Sequence, residues 1–437
     1  MVMTRGKKKI AAGVLISIVL TACGSNAGSE SGTNGQGNAN EGQVTLQFMV
    51  TSENYSGRLK DFIANYEEMS GNRVDVQLFP AAEFDNMLKV KMMSDEGPDL
   101  FVTDDIAMSQ FQVPVEWFED LTERPWAERL SDGGRAIIEW NDGRITGLPI
   151  TNPGGMGMMY NKAIFDELGL SEPTTWDELL QLSETLKQAG VTPINIQLAN
   201  GSEFGTTHLM HQLFANAELN RGSQIWDELN SNKLKLVEVE EYEQALQQML
   251  ELKEKGYINE DFISNTFEMT QEKLGTGQVA MHPGGDFILE PLLENYPDIE
   301  LGFFPMPFGD TPGVISLYAG VGMSVNSNAK NKEAALELID FFATKEEQEA
   351  YMGKAPGTSV FADVEAEQNM ISEELQKYMD SGRAFMGMFG RFQVWNDMDA
   401  RKLMQEMMLG SKSPQRVLEE LDAKAELLGR GKQLPGW

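Results

Sequence analysis

Five polar residues lie at or directly after the ends of two predicted strands, at positions where their side chains could bind hydroxyl groups of a ligand. Alternating residues predict one strand over residues 44–50, and a short apolar run predicts another over residues 99–103. In open α/β sheets, ligands bind beyond the carboxyl ends of the strands, where short acidic side chains can accept paired hydrogen bonds. A solvated loop or a helix cap is the alternative for each residue. The five residues are Glu53, Asn54, Thr103, Asp104 and Asp105.

The three histidines of the chain could contribute to a metal site. His208 and His211 are spaced so that both could lie on one face of a helix, and with His282 and a carboxylate they could bind Zn²⁺. A histidine pair at this spacing is more often incidental. The sequence therefore predicts neither a metal site nor a cofactor, and a zinc receptor stays an alternative.

The sequence contains none of the common catalytic motifs. We find no G-x-S-x-G, no H-E-x-x-H and no G-x-x-x-x-G-K-[ST] in it. With 67 carboxylates, some pairs reach the separation used by glycosidases by chance, so their abundance indicates nothing. We therefore expect a protein that is not an enzyme.

The elements that would position these residues follow an α/β pattern. Strand, helix, strand, helix, strand is the predicted order over residues 44–103, which is typical of a parallel sheet covered by helices. Thr175 and Glu178 have the spacing of a capping box and predict a helix that ends before Gly190. Further amphipathic helices are predicted over residues 240–256 and 333–344, and mainly helix from residue 373 onward.

Composition limits the class of protein. The net charge of −32 argues against nucleic acid and anionic lipid as partners, because both repel an acidic surface. Hydrophobic residues make up 41% of the chain, which is enough to build large cores. The part of the chain after residue 43 has about 400 residues, which is more than one hydrophobic core usually supports. The length therefore predicts two domains.

The N-terminal segment has the order of a secretory signal. Basic residues at positions 5 and 7–9 precede an apolar run over residues 10–20 that is too short to span a bilayer, and small residues lead to Cys23. The segment resembles a bacterial lipoprotein signal, in which residues 1–22 are removed and Cys23 is lipidated. Residues 24–43 are rich in Gly, Ser and Asn and predict a flexible linker. We expect a lipid-anchored protein on the extracellular face of the cell membrane.

Several motifs along the chain occur in the order of a known family. They are GPDLFVTDD (residues 97–105), GRITGLPI (143–150), MMYNKAIFDELGLSEPTTWDELL (158–180), GQVAMHPGGDF (277–287), LGFFPMP (301–307) and EAALELIDFFATKEEQEAY (333–351). With the lipoprotein signal, the chain resembles extracellular solute-binding proteins of family 1, the maltose-binding-protein-like receptors of ABC importers. The resemblance covers nearly the whole mature chain.

The resemblance implies two lobes joined by a hinge, with a ligand in the cleft between them. It places lobe one at residues 44–150 plus 308–346, and lobe two at residues 151–307 plus 347–437. It also implies that hinge closure around a sugar or oligosaccharide presents the closed form to the permease of an ABC transporter. The partners would be the solute, the permease and, through the lipid, the membrane. The receptor would be a monomer.

The resemblance also implies residues of the cleft. Phe287 stands where many relatives have a tryptophan that stacks on a sugar ring, with Asp286 beside it, and Trp395 is the strongest stacking candidate of the C-terminal region. Asn152 would line the hinge. A charged ligand stays open because Asp286 and Arg391 are present, and a secreted carbohydrate-active enzyme stays a second alternative. The complete set implied by the resemblance is Asn152, Asp286, Phe287, Tyr318, Arg391, Trp395 and Asn396.

Overall fold

The computed structural model describes most of the chain from residue 43 onward. The described residues are 43–437 without 53, 56, 95, 105–112, 141, 152–153, 200–203, 223, 319, 353–358, 366–369 and 388–390. The predicted signal, Cys23 and the linker up to residue 42 lie outside the described residues. No helix in the described part of the chain is both long and apolar enough to cross a membrane.

The described chain contains eleven named strands. In chain order they are β1 Thr45–Thr51, β2 Arg73–Phe79, β3 Leu100–Asp104, β4 Leu148–Pro149, β5 Gly154–Asn161, β6 Thr192–Ile194, β7 Val279–Gly284, β8 Leu301–Phe304, β9 Ile315–Tyr318, β10 Val321–Val325 and β11 Ala384–Met386.

Fifteen helices, numbered in the same way, surround these strands in the described residues. They are α1 Gly57–Ser70, α2 Ala81–Met93, α3 Asp132–Ile138, α4 Lys162–Leu168, α5 Trp176–Gln188, α6 Gly205–Arg221, α7 Gln224–Asn230, α8 Glu240–Glu254, α9 Phe267–Gly275, α10 Leu289–Asn295, α11 Lys332–Phe342, α12 Lys345–Met352, α13 Ser372–Asp380, α14 Asp397–Met408 and α15 Pro414–Gly431.

The strands form two separate sheets, so the predicted α/β fold class is confirmed. The first sheet has the order β2-β1-β3-β10-β4, with β1 parallel to β2 and β3, and β10 antiparallel to β3 and β4. The second sheet has the order β11-β9-β5-β7-β6, and β8 also pairs with β5. Strand β5 is antiparallel to β7, β8 and β9, so it organises the second sheet.

Local sequence patterns explain elements around both sheets. In β1, Phe48 and Val50 enter the main core beneath the helices, whereas Met49 packs into a smaller cluster with Phe101, as the two-residue period of a strand requires. The predicted capping box is confirmed, because the Thr175 hydroxyl accepts from Glu178 N at 3.2 Å and Glu178 accepts from Thr175 N. Helix α5 therefore begins where the sequence predicts.

Two segments pack differently from the predicted lobe bounds. Strand β9 was predicted to belong to lobe one, but it pairs with β5 in the second sheet, and the chain reaches the first sheet only at Val321. Tyr351 and Phe361 lie in the core of the first sheet, although lobe two was predicted to resume at residue 347. Both differences have one cause. The apolar pattern of a strand or helix indicates that the element is buried, but it does not indicate which of the two sheets the element packs against.

Candidate functional site

Two connections between the sheets run side by side. The first leads from β4 to β5, and the second leads from β9 to β10. Ile150 N donates to Val321 O at 2.8 Å, Val321 N donates to Thr151 Oγ1 at 2.7 Å, and Gly154 is the register partner of Tyr318. Both connections are short and adjacent, and we call them the hinge region.

Three residues of the predicted site lie together beside this region. The Tyr318 hydroxyl donates a hydrogen bond to Asp286 Oδ1, and the ring centroids of Tyr318 and Phe287 are 6.0 Å apart. Gly154 makes room for the pair, because a Cβ there would lie 2.5 Å from Asp286 Oδ1 and closer still to the Tyr318 ring. Phe287 stays 41% exposed, so its ring is available to a ligand.

Burial raises the pKa values of both members of the Asp286–Tyr318 pair. Burial raises the pKa of Asp286 to about 6, although the hydrogen bond from Tyr318 opposes the shift. Burial and the neighbouring carboxylate raise the pKa of Tyr318 well above its ordinary value. Tyr318 is therefore a fixed donor to Asp286, and the same carboxylate also accepts from the backbone N–H groups of Asp286 and Phe287.

Further aromatic residues extend this group along the second lobe. The His208 ring centroid lies 5.4 Å from that of Phe287 and 5.8 Å from that of Phe204, with the Phe204 and His208 planes within 23° of each other. The Arg401 guanidinium lies over Phe204, with Cζ 3.7 Å from the ring centroid. We call Phe204, His208, Phe287 and Tyr318 the aromatic row. Phe204, His208 and Arg401 carried no sequence signal for this role, because their contacts join three distant segments.

An ion pair holds the far end of the aromatic row. Arg401 Nε donates to Asp397 Oδ2 at 2.6 Å, and His211 Nε2 lies 3.3 Å from Asp397 Oδ1. Burial alone would raise the pKa of Asp397, but the Arg401 charge and the contact with His211 hold that pKa below its usual range. The carboxylate therefore joins α14 to α6 and fixes the guanidinium over Phe204.

The structure places the other predicted residues of the C-terminal region outside the aromatic row. Trp395 is only 4% exposed and belongs to the core, where its ring makes an edge contact with His211. Asn396 caps α14 by accepting from Asp399 N at 3.1 Å. The carbonyl of Arg391 accepts from Asn230 at 2.9 Å, and the Arg391 side chain is exposed. Ligand contact by these three residues stays a prediction.

The predicted residues of the first lobe are described only in part. Asp104 is the last residue of β3 and is the register partner of Val321, so the end of β3 lies beside the second connection, with Thr103 directly before it. Asn54 N donates to Thr51 Oγ1 at 3.2 Å. The remaining three predicted residues lie outside the described residues. They are Glu53, Asp105 and Asn152.

The histidines do not form a metal centre with carboxylates in the described residues. No group of three or more His, Cys, Asp or Glu side chains in that part of the chain is arranged to hold a metal ion. His282 Nδ1 lies 3.0 Å from Asn195 O. Burial lowers the pKa of His282 to about 4. Its environment is that of a neutral, buried side chain.

A surface groove on the second lobe lies away from the hinge region. A groove of about 510 Å³ lies between α5 and α8, lined mainly by carboxylates and glutamines. Trp176 is the aromatic residue of its lining, but it is 6% exposed and its Nε1 donates to Glu251 Oε2 at 2.7 Å. Because the hinge region combines the exposed ring of Phe287 with partly exposed rings and polar groups, we place the candidate site there.

Comparison with known proteins identifies the family. The profile described as bacterial extracellular solute-binding protein matches residues 51–349. The chain belongs to this family, and it has the two-lobed fold of the solved structures that it matches.

Among curated proteins, the multiple sugar-binding protein of Streptococcus mutans is 22% identical over 389 residues, which cover 88% of this chain and 89% of that protein. The melibiose/raffinose/stachyose-binding protein of Bacillus subtilis is 22% identical, over 75% of this chain and 74% of that protein. Among solved structures, a chitin oligosaccharide binding protein has a TM-score of 0.76 and 22% identity, over 90% of this chain and 99% of that one. A sugar transporter from Bacillus licheniformis in complex with stachyose has a TM-score of 0.71 and 21% identity, over 88% of this chain and 100% of that one.

Proposed function

We propose that this protein is an extracellular receptor that binds a sugar or an oligosaccharide and delivers it to the permease of an ABC importer. The observation that carries the proposal is the aromatic row beside the Asp286–Tyr318 pair. The C–H faces of a sugar are apolar and cover an aromatic ring well, while polar neighbours bind its hydroxyl groups. Two relatives are known as a multiple sugar-binding protein and a melibiose/raffinose/stachyose-binding protein, which supports the same ligand class.

In this proposal the hinge region converts ligand binding into closure. The aromatic row belongs to the second lobe, whereas Asp104 at the end of β3 belongs to the first sheet, and the two connections between the sheets lie beside both. A sugar that contacts both sides binds the closed form more tightly than the open form, and only this difference in affinity can shift the equilibrium. The permease would then recognise the closed form.

We further propose that lipidated Cys23 holds the receptor at the extracellular face of the membrane and that the flexible linker lets it reach its transporter. The support is the signal-like order of residues 1–23. Replacement by Cys23→Ser should release the protein from the membrane fraction into the medium. If the variant stays with the membrane as fully as the wild type does, the lipid anchor is wrong.

A thermal-shift screen tests the ligand class. The probes are raffinose, stachyose, chitin oligosaccharides and Zn²⁺, each added to the purified protein. A ligand that binds only the folded state stabilises it by RT ln(1 + [L]/Kd), or about 2.7 kcal/mol at a hundredfold excess over Kd. We expect a sugar to raise the melting temperature and Zn²⁺ to leave it unchanged. If Zn²⁺ alone shifts the transition, the carbohydrate assignment is wrong, and turnover of a bound sugar would identify an enzyme instead.

A further inference from the structure

The ring of His208 lies between those of Phe287 and Phe204 in the aromatic row. It lies in the first turn of α6, where its backbone N donates to Phe204 O at 2.9 Å, and its ring contacts both Phe204 and Phe287. The side chain is partly exposed, but Nδ1 is shut off from solvent and has no hydrogen-bond partner among the described residues. Nε2 is therefore the nitrogen that solvent or a ligand can reach.

The surroundings of His208 keep the imidazole neutral. Burial lowers its pKa to about 3, and His282, His211 and Arg401 add to this effect, whereas Asp397 opposes it. A neutral imidazole has one N–H donor and one nitrogen acceptor, so the position of the single proton decides what the ring offers to a ligand.

The burial of Nδ1 indicates which nitrogen carries the proton. Buried N–H groups without a partner are rarer in proteins than acceptors with an unused lone pair. A proton on Nδ1 would be such an orphaned donor, whereas a proton on Nε2 can be hydrogen-bonded by water or by a ligand. We propose that His208 determines sugar specificity by donating an Nε2–H hydrogen bond to an oxygen of the sugar that stacks on Phe287.

This role complements that of Asp286 at the same ring. Asp286 and the Tyr318 hydroxyl lie beside Phe287 and offer acceptors, while His208 offers a donor. A sugar hydroxyl both donates and accepts, so the two groups together would fix the rotation of the sugar over the ring. The inference rests on the proposed carbohydrate function and deepens it, because it favours a ligand that is uncharged at this position.

Phe204 and Arg401 hold the imidazole in this orientation. The Phe204 ring stacks on His208 at 5.8 Å, and the guanidinium packs against the Phe204 ring while Asp397 binds its Nε. The His208 donor and the Phe287 ring are therefore positioned before the ligand binds, which reduces the conformational entropy that is lost on binding.

Three replacements of His208 test the donor. In His208→Gln the side-chain amide reaches the position of Nε2, in His208→Asn it reaches only that of Nδ1, and His208→Phe keeps the ring without a donor. Calorimetric titration with raffinose, stachyose and chitin oligosaccharides should find that the Gln variant binds within about threefold of the wild type, whereas the Asn and Phe variants lose at least about tenfold. Melting temperatures of the free variants show that each is folded, and the Gln variant is the matched control.

Nitrogen chemical shifts of the imidazoles give a readout that does not depend on the sugar. The chain has three histidines, so the signal that disappears in His208→Gln belongs to His208. We expect the Nε2–H form with no titration between pH 8 and pH 4.5. An Nδ1–H form or a cationic ring overturns the inference, as does unchanged binding by His208→Phe. If no sugar binds the wild type, the proposed function fails and the inference fails with it. If sugars bind the wild type and all three variants equally, only the inference fails.

Discussion

Replacement of Gly154 by alanine tests whether the Asp286–Tyr318 pair requires an empty space beside it. Gly154 is not among the glycines with positive φ, so its backbone accommodates an alanine and the effect is purely steric. The added Cβ would lie 2.5 Å from Asp286 Oδ1 and closer still to the hydroxyl end of Tyr318. Real Cβ atoms essentially never approach so closely, so the hydroxyl, the carboxylate or strand β5 has to move.

The expected cost follows from the two ways in which the site can respond. If the side chains stay in place, overpacking costs about 1–3 kcal/mol. If they separate, the hydrogen bond to a charged group is lost, which costs about 1.5–3 kcal/mol. We therefore expect Gly154→Ala to lower the free energy of unfolding by about 2 kcal/mol. Sugar affinity should fall at least about tenfold, because both displaced groups lie beside the stacking ring.

Urea denaturation and calorimetric titration with raffinose or stachyose measure the two effects. Gly431→Ala is the matched control, because its Cβ meets nothing within 4 Å. A double variant with Tyr318→Ala should show a much smaller effect of the Gly154 replacement, since the clashing ring is gone and the two changes are not additive. If Gly154→Ala is indistinguishable from Gly431→Ala in stability and affinity, the steric argument is refuted.

Three further predictions follow from the packing and the charges. Trp395→Ala should lower the free energy of unfolding by about 3–5 kcal/mol, because the ring is a core residue, and an effect on affinity alone would show that it is a ligand contact instead. Asp286→Asn should gain stability relative to the wild type as the pH rises from about 4 to about 6. In the wild type the Asp286 carboxyl binds its proton more tightly in the folded state than in the unfolded chain, so ionisation of Asp286 destabilises the fold. Equal pH profiles of the two proteins in urea denaturation would contradict this. Asp397→Asn should cost about 3 kcal/mol at pH 7, because it leaves Arg401 and His211 without their shared carboxylate. The pKa of Asp397 is lowered by folding, so this difference should shrink as the pH falls below about 4, and a constant difference would contradict the role of its charge.

Part of the fold could be predicted because its signals are local. The alternation in β1 and the capping box of α5 each depend on residues that lie within seven positions of one another in the chain, and both agree with the structure. The same kind of signal could not assign β9 to a sheet. Its partner β5 lies more than 150 residues earlier in the chain, and the choice between two sheets depends on pairing that no local pattern reveals.

The residues of the candidate site could also be predicted only in part. Asp286 and Phe287 came from the resemblance of a motif, and the structure brings them together with Tyr318, although their contact with a ligand stays a prediction. Trp395 was the strongest stacking candidate of the C-terminal region, but its ring is buried, with His211 of α6 packed against it. For His208 the sequence offered only the alternative of a metal pair, whereas the structure places its ring beside that of Phe287.

By itself, the sequence determined that the chain is acidic, has α/β elements in a recognisable order and carries one cysteine at a signal-like position. These properties depend on composition and on neighbours in the chain. Only the tertiary structure decided that Gly154, a residue without a side chain, makes room for the Asp286–Tyr318 pair, and that Arg401 holds Phe204 against His208. The reason is physical: steric room, burial and the state of a proton depend on atoms that are distant in sequence and meet only when the second sheet and its helices have formed.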